Sequence, residues 1–166
     1  DDEGTRARDT YLVKNGVLTG RLHSAATAAA LDEAVTGNAR AISFEFEPIV
    51  RMTSTWIAGG TDTFESLLRG AEGGLYIPDF FHGSGMSTFT IAPARAYRIR
   101  GGKLAEPVLV SVISGNVMQT LHQIDGATAE TELRSLFTGG CGKMEQWPLR
   151  VAFGGPYLRV RGLKVQ

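Results

Sequence analysis

Apolar and polar positions alternate along much of the chain, and glycine pairs break the alternation at short intervals. Period-two patterning reads as half-buried β-strand. Residues Thr10 to Leu22 predict a hairpin turning at Asn15-Gly16, the strongest short hairpin signal. Ser24 has the character of an N-cap, so Ala25 to Ala34 predicts a short helix, with Gly37 near its stop. Ile42, Phe44 and Phe46 alternate with Ser43 and Glu45 and predict a strand ending at Pro48. Ile49 to Ile57 predicts another. Asp62 and Glu65 have capping-box spacing, so Phe64 to about Ala71 predicts a second helix. Gly73-Gly74 ends it, and Leu75 to Ile77 resumes a strand.

Phe80 to Ser87 reads as a glycine loop carrying His82. Thr88 to Arg100 predicts a strand turning at Gly101-Gly102, and Pro107 introduces a strand over Val108 to Ile113. Asn116 then caps a helix carrying Val117, Leu121 and Ile124, and Thr131 to Phe137 predicts a helical turn. Strands over Leu149 to Phe153, Tyr157 to Val160 and Leu163 to Val165 close the chain, with a turn at Gly154-Gly155-Pro156. The expected fold class is α+β in a single domain over residues 1–166. It is mostly antiparallel sheet, barrel-like or layered, with a few short helices.

Composition narrows the function classes. The 166 residues are 43% hydrophobic and 20% charged, which is ordinary for a folded domain. Seventeen basic residues balance seventeen acidic ones, so there is no electrostatic case for direct nucleic-acid contact. The apolar stretches are too short to span a bilayer as a helix. One cysteine excludes an internal disulfide and any CxxC site. The acidic opening Asp1-Asp2-Glu3 does not resemble a signal peptide, so the expected location is the cytoplasm. No GxSxG, GxGxxG or Walker-type element is present.

Several segments in order resemble the TldD/PmbA family, on its TldD branch. Asp1-Asp2-Glu3-Gly4-Thr5 and Asn15-Gly16-Val17-Leu18 resemble its DDEGT and NGxL runs. Thr36-Gly37-Asn38-Ala39-Arg40 is similar to its TGNxR motif. Arg51-Met52-Thr53-Ser54-Thr55 is similar to its PRMTNT segment, with Val50 in place of the proline. Phe64-Glu65-Ser66-Leu67 and Gly74-Leu75-Tyr76-Ile77 resemble its helix-then-GIYV pattern. Cys141-Gly142-Lys143, Gln146 and Gly154-Gly155-Pro156 resemble its closing CGKxGQ and GGP elements. The resemblance implies a cytoplasmic, zinc-dependent peptidase for unfolded peptides, working as a homodimer or as a heterodimer with a metal-free relative. The family is also described as modulators of DNA gyrase.

In that family an HExxxH helix supplies two histidines and a base, and a cysteine completes the zinc ligands. Cys141 falls on that cysteine, in the glycine-rich run Gly139-Gly140-Cys141-Gly142, where bare backbone admits a metal and a peptide. The alternative reading is a small buried thiol, which is what most lone cysteines are. HExxxH does not occur in this sequence, and His23, His82 and His122 are widely separated. The expectation is therefore no catalytic residue here, no bound metal and no activity by the chain alone, with Cys141 a free thiol in a glycine-rich turn. Gly139, Gly140 and Gln146 are candidates for the wall of a peptide cleft, where substrate pairs as an added strand. The rival reading is a non-catalytic partner subunit whose sheets dimerise. His23, His82 and Cys141 have types suited to zinc, but scattered positions rarely converge. Asp1, Asp2 and Glu3 read as a solvated acidic end rather than a cation site. Arg98 and Arg100 share a strand face as ordinary surface charge.

Overall fold

Glycine and asparagine turns organise the strands as their backbone chemistry requires. In the computed structural model, which describes residues 1–136 and 139–166, the chain divides into two compact units. The first comprises Asp1–Trp56 and Leu133–Gly154, and the second Ile57–Glu132 and Gly155–Gln166.

The first unit opens with the expected hairpin, shortened to Val13–Lys14 paired with Val17–Leu18. Its turn residues Asn15 and Gly16 have φ of 52° and 75°, as the mirror-image hairpin turn demands. Helix Ala25–Leu31 follows, capped at Ser24 by a reciprocal capping box with Thr27. It ends at Asp32 in the left-handed conformation, not near Gly37. Gly37 instead permits a close backbone approach. Its φ is +73°, and a Cβ there would lie 2.7 Å from the carbonyl oxygen of Arg6.

Ala39–Arg40 pairs antiparallel with Ile49–Val50. Between them the alternating run Ile42 to Phe46 is not a strand. Phe46 N–H donates to Ser43 O in a turn, and Phe44 is 98% exposed. A period-two pattern makes a strand only where a neighbouring strand takes its backbone groups, and here a side chain, Gln146, takes the Ile42 amide. Ser54–Trp56 pairs in parallel with Ala152–Gly155, and Glu132–Ser135 flanks the latter in a three-stranded sheet. The helical turn expected over Thr131 to Phe137 is thus extended as far as the described residues run, and Phe137 lies outside them.

The second unit is built on the antiparallel pair Leu75–Gly85 and Thr88–Arg100. The expected glycine loop from Phe80 is in fact ladder: His82 faces Ala92 and Gly85 faces Phe89. Glycine's low strand propensity yields here to the pairing offered by a long partner. Lys103–Pro107 and Ile113–Asn116 also pair with Thr88–Arg100, and Lys164–Val165 pairs with Ile113–Asn116. The strand expected from Pro107 to Ile113 ends and restarts instead, and Val108 N–H bonds Ala96 O. Ala96, Val110 and Ile113 form the core, with Leu75, Ile77, Val108 and Leu163 packed against it. Helix Phe64–Arg69 is capped by Thr63 with Ser66, not by Asp62 with Glu65. Helix Val117–His122 is capped by Asn116, and Ile124 lies beyond it in Ile124–Ala127, which pairs with Leu158–Val160.

The mostly antiparallel α+β reading holds. Each sheet is open, so among the described residues no barrel closes.

Candidate functional site

The candidate site grows from the hairpin Cys141–Lys143 and Gln146–Leu149, in which Cys141 faces Leu149 and Lys143 faces Gln146. Met144 turns it with φ of 55°. Gly140 must be glycine for a steric reason, since a Cβ would collide with the Leu149 carbonyl oxygen and sit 2.8 Å from its carbon. A Cβ on Gly142 would lie 2.9 Å from the Trp147 ring. Gly139 has open space around its α-carbon. Thr138, the residue before it, lies outside the described residues.

Cys141 is half-buried, a free thiol, and in a short strand rather than a turn. Its Sγ lies 3.8 Å from Gly142 O, beyond a strong hydrogen bond. Its backbone is held from behind by Arg51, which is 2% exposed. Arg51 Nη2 donates to Cys141 O at 2.6 Å, and Nη1 donates to Gln146 O at 3.2 Å. Arg51 is itself locked to Asn38. Arg51 N–H donates to Asn38 O at 2.8 Å, and Asn38 Nδ2 donates to Arg51 O at 3.2 Å. The guanidinium of Arg51 thus donates to two neutral carbonyls of the hairpin rather than to a carboxylate.

Gln146, expected on a peptide wall, is only 4% exposed, and its amide faces inward. Nε2 donates to Glu47 O at 2.9 Å, and Oε1 accepts from Ile42 N–H at 3.1 Å. It therefore braces the hairpin that carries Cys141. Lys143 Nζ adds a bond to Val50 O at 2.9 Å. Gly139 and Gly140 remain half-exposed beside Cys141.

Arg40 lies on the same network. Nη1 donates to Met52 O at 2.7 Å and Nη2 to Arg150 O at 3.0 Å. Burial lowers its pKa from the ordinary value, while Asp2 and Cys141 act in the opposite sense and Arg51 adds to the lowering. Arg40, Thr53, Ser54, Ser135, Arg150 and Val151 are among the residues lining an open groove of about 240 Å³.

The histidines do not join this site. His23 is 2% exposed, with Nε2 2.8 Å from Glu33 and Nδ1 3.1 Å from Thr27 Oγ1, so it links the two ends of the first helix. His82 and His122 are exposed, on a strand and at a helix end. Among the described residues no three His, Cys, Asp or Glu side chains gather as a metal site. The acidic opening is solvent-accessible, with Asp2 and Glu3 exposed, and its carboxylates also accept backbone amides. Asp1 accepts the Thr5 and Ala39 amides, Asp2 accepts the Ala41 amide, and Glu3 accepts the Ala25 amide at the start of the first helix. Arg98 and Arg100 both meet Glu106.

Sequence reasoning missed Arg51, Asn38 and Arg40 as the residues that shape the site. The signal was present: two arginines and an asparagine in short motifs without chemistry of their own.

The whole chain, residues 1–166, matches the model of the PmbA/TldA metallopeptidase C-terminal domain. It is 45% identical over 166 residues to "Metalloprotease slr0863" of Synechocystis sp., covering 99% of this chain and 35% of that protein. It is 32% identical over 167 residues to "Zinc metalloprotease TldD homolog" of Saccharolobus solfataricus, covering 99% and 37%. Among solved structures, TldE from Thermococcus kodakarensis superposes with a TM-score of 0.78 at 20% identity, over 99% of this chain and 35% of that one. A candidate modulator of a DNA gyrase from Thermotoga maritima superposes with a TM-score of 0.70 at 24% identity, over 100% and 35%. The chain thus spans about a third of the relatives it matches.

Proposed function

Because the chain belongs to the PmbA/TldA metallopeptidase family as its C-terminal domain, we propose that it is part of a cytoplasmic, zinc-dependent peptidase acting on unfolded peptides. Cys141 is its contribution to the metal. Zinc, when bound, polarises the scissile carbonyl and supplies a nucleophilic water at neutral pH. The donor set fits one ligand from this chain, a half-exposed free sulfur on a braced strand. Arg51 and Gln146 orient that strand. Gly139 and Gly140 offer bare backbone on which an extended peptide pairs as an added strand, which reads backbone rather than side chains. The remaining ligands and the general base come from outside the 166 residues. The working unit is a dimer of two copies, or of this protein with a relative, and it has no direct nucleic-acid or membrane partner.

The observation that carries this reading is the position of Cys141: its carbonyl is fixed by a buried guanidinium while its sulfur takes no strong partner. Metal analysis of the full-length protein tests it. Stoichiometric zinc in the parent and its loss in Cys141→Ala are expected, and unchanged zinc in that variant removes Cys141 from the ligand set. The isolated 166-residue chain is expected to cleave no flexible peptide, and zinc-dependent cleavage by it would overturn the division of the site.

A further inference from the structure

The groove beside Arg40 holds more positive charge than its own residues neutralise. Arg40 is half-buried, and its two hydrogen bonds go to the neutral carbonyls of Met52 and Arg150. A guanidinium carries five N–H donors, so three of its donors are left over. Among the described residues no carboxylate lies within ion-pair distance of it. Asp2 acts on it only at longer range, with its Oδ2 committed to the Ala41 amide. Arg150 is a second arginine among the residues lining the groove. It is exposed and makes no side-chain ion pair among the described residues. Thr53, Ser54 and Ser135, each with a hydroxyl group, line it as well. Charges removed from water are ordinarily paired, and guanidinium groups select carboxylates through parallel donors. Arg40, Thr53 and Ser54 come from the two short motifs to which the sequence attached no chemistry.

We propose that this groove binds a carboxylate of the peptide substrate, so that acidic peptides are preferred over neutral ones of the same length. The inference rests on the peptide-processing reading, which supplies the peptide as carrier of the carboxylate. The carboxylate is either the peptide's C-terminus or a Glu side chain, which share one chemistry. Arg40 and Arg150 would grip it, and the hydroxyls would take its remaining lone pairs.

Calorimetric titration of the full-length, zinc-depleted protein tests the groove without any cleavage, so an inactive protein does not disguise the outcome. The probes are a flexible octapeptide with a Glu and a free C-terminus, its C-terminal amide, its Glu→Gln form, and the form carrying both changes. The acidic peptide is expected to bind at least about tenfold more tightly than the doubly neutral one, the scale of a charge-assisted pair. Whichever single change removes the preference identifies the carboxylate. Arg150→Glu is the principal variant, because only the backbone carbonyl of Arg150 serves the fold. It should abolish the preference. Lys14→Glu, a charge reversal on the exposed first hairpin, should keep it. Equal affinity for all four peptides in the parent overturns the proposal, as does a preference that survives Arg150→Glu or falls equally in Lys14→Glu. Arg40→Lys, with folding checked by circular dichroism, should weaken the preference while keeping the charge.

Discussion

The guanidinium of Arg51 donates to the carbonyl oxygen of Cys141 at 2.6 Å, from a side chain that is 2% exposed. The residue proposed to bind metal is thus positioned through its backbone by an arginine 90 residues earlier. Replacing Arg51 by Met keeps much of the volume but leaves the Cys141 and Gln146 carbonyls without their donors. Buried acceptors left unmatched cost about 1–3 kcal/mol each. Arg51→Met should lower stability by about 2–4 kcal/mol, read as the denaturation midpoint at constant slope. Zinc occupancy of the full-length protein should fall with it. An unchanged midpoint would show that the arginine does not hold this hairpin.

Neighbouring glycines should respond differently to one added methyl group. At Gly140 a Cβ meets the Leu149 backbone, and at Gly139 it meets open space. Gly140→Ala should destabilise by about 1–3 kcal/mol, and Gly139→Ala should stay within about 0.5 kcal/mol of the parent. Thermal unfolding of the two variants side by side checks the pair, and equal effects would contradict the strand geometry.

The second helix offers a direct test of which residues cap it. Thr63 and Ser66 form the reciprocal bonds, while Asp62 accepts from the Ala127 amide at 3.0 Å and from Ser66 Oγ at 3.2 Å. Thr63→Ala should cost about 1 kcal/mol. Glu65→Ala should remain within about 0.5 kcal/mol, because Glu65 is not part of the box. Urea titration separates these outcomes, and the reverse order would restore the Asp62–Glu65 assignment.

Acid should selectively erode one contact of the second unit. The hydrogen bonds from Arg161 and then Arg159 hold the Asp125 carboxyl below its ordinary value of 3.8. A carboxylate whose folded value lies below its unfolded one contributes stability above the unfolded value, and that stability is lost as pH falls through the folded value. Asp125→Asn should therefore be less stable than the parent at neutral pH, with the difference shrinking as the pH drops below 3.8. A gap that stays constant on acidification would mean that the charge of Asp125 is not what matters.

Local chemistry was legible wherever one short segment decides the outcome. Asn15-Gly16 turns a hairpin because both positions need positive φ. Ser24 and Asn116 cap helices because their side chains reach amides three residues on. Gly101-Gly102 turns one long strand into the next. These outcomes depend on residues within a few positions of each other. The family was legible for a related reason, since ordered motifs survive even where their physical role is hidden.

Pairing and burial were decided elsewhere in the chain. Ile42 to Phe46 has a strand's pattern but no strand beside it, whereas Phe80 to Gly85 has a loop's composition and a full partner. The sequence by itself determined the turns at Asn15-Gly16 and Gly101-Gly102, the caps at Ser24 and Asn116, the mostly antiparallel class and Cys141 as the single thiol. Only the tertiary structure decided that Gln146 faces inward, that Arg51 grips Cys141, and that Arg40 stands in a groove with unspent donors. Those contacts join residues up to 110 positions apart, and a buried polar group is satisfied by whatever the fold brings to it, which no local pattern encodes.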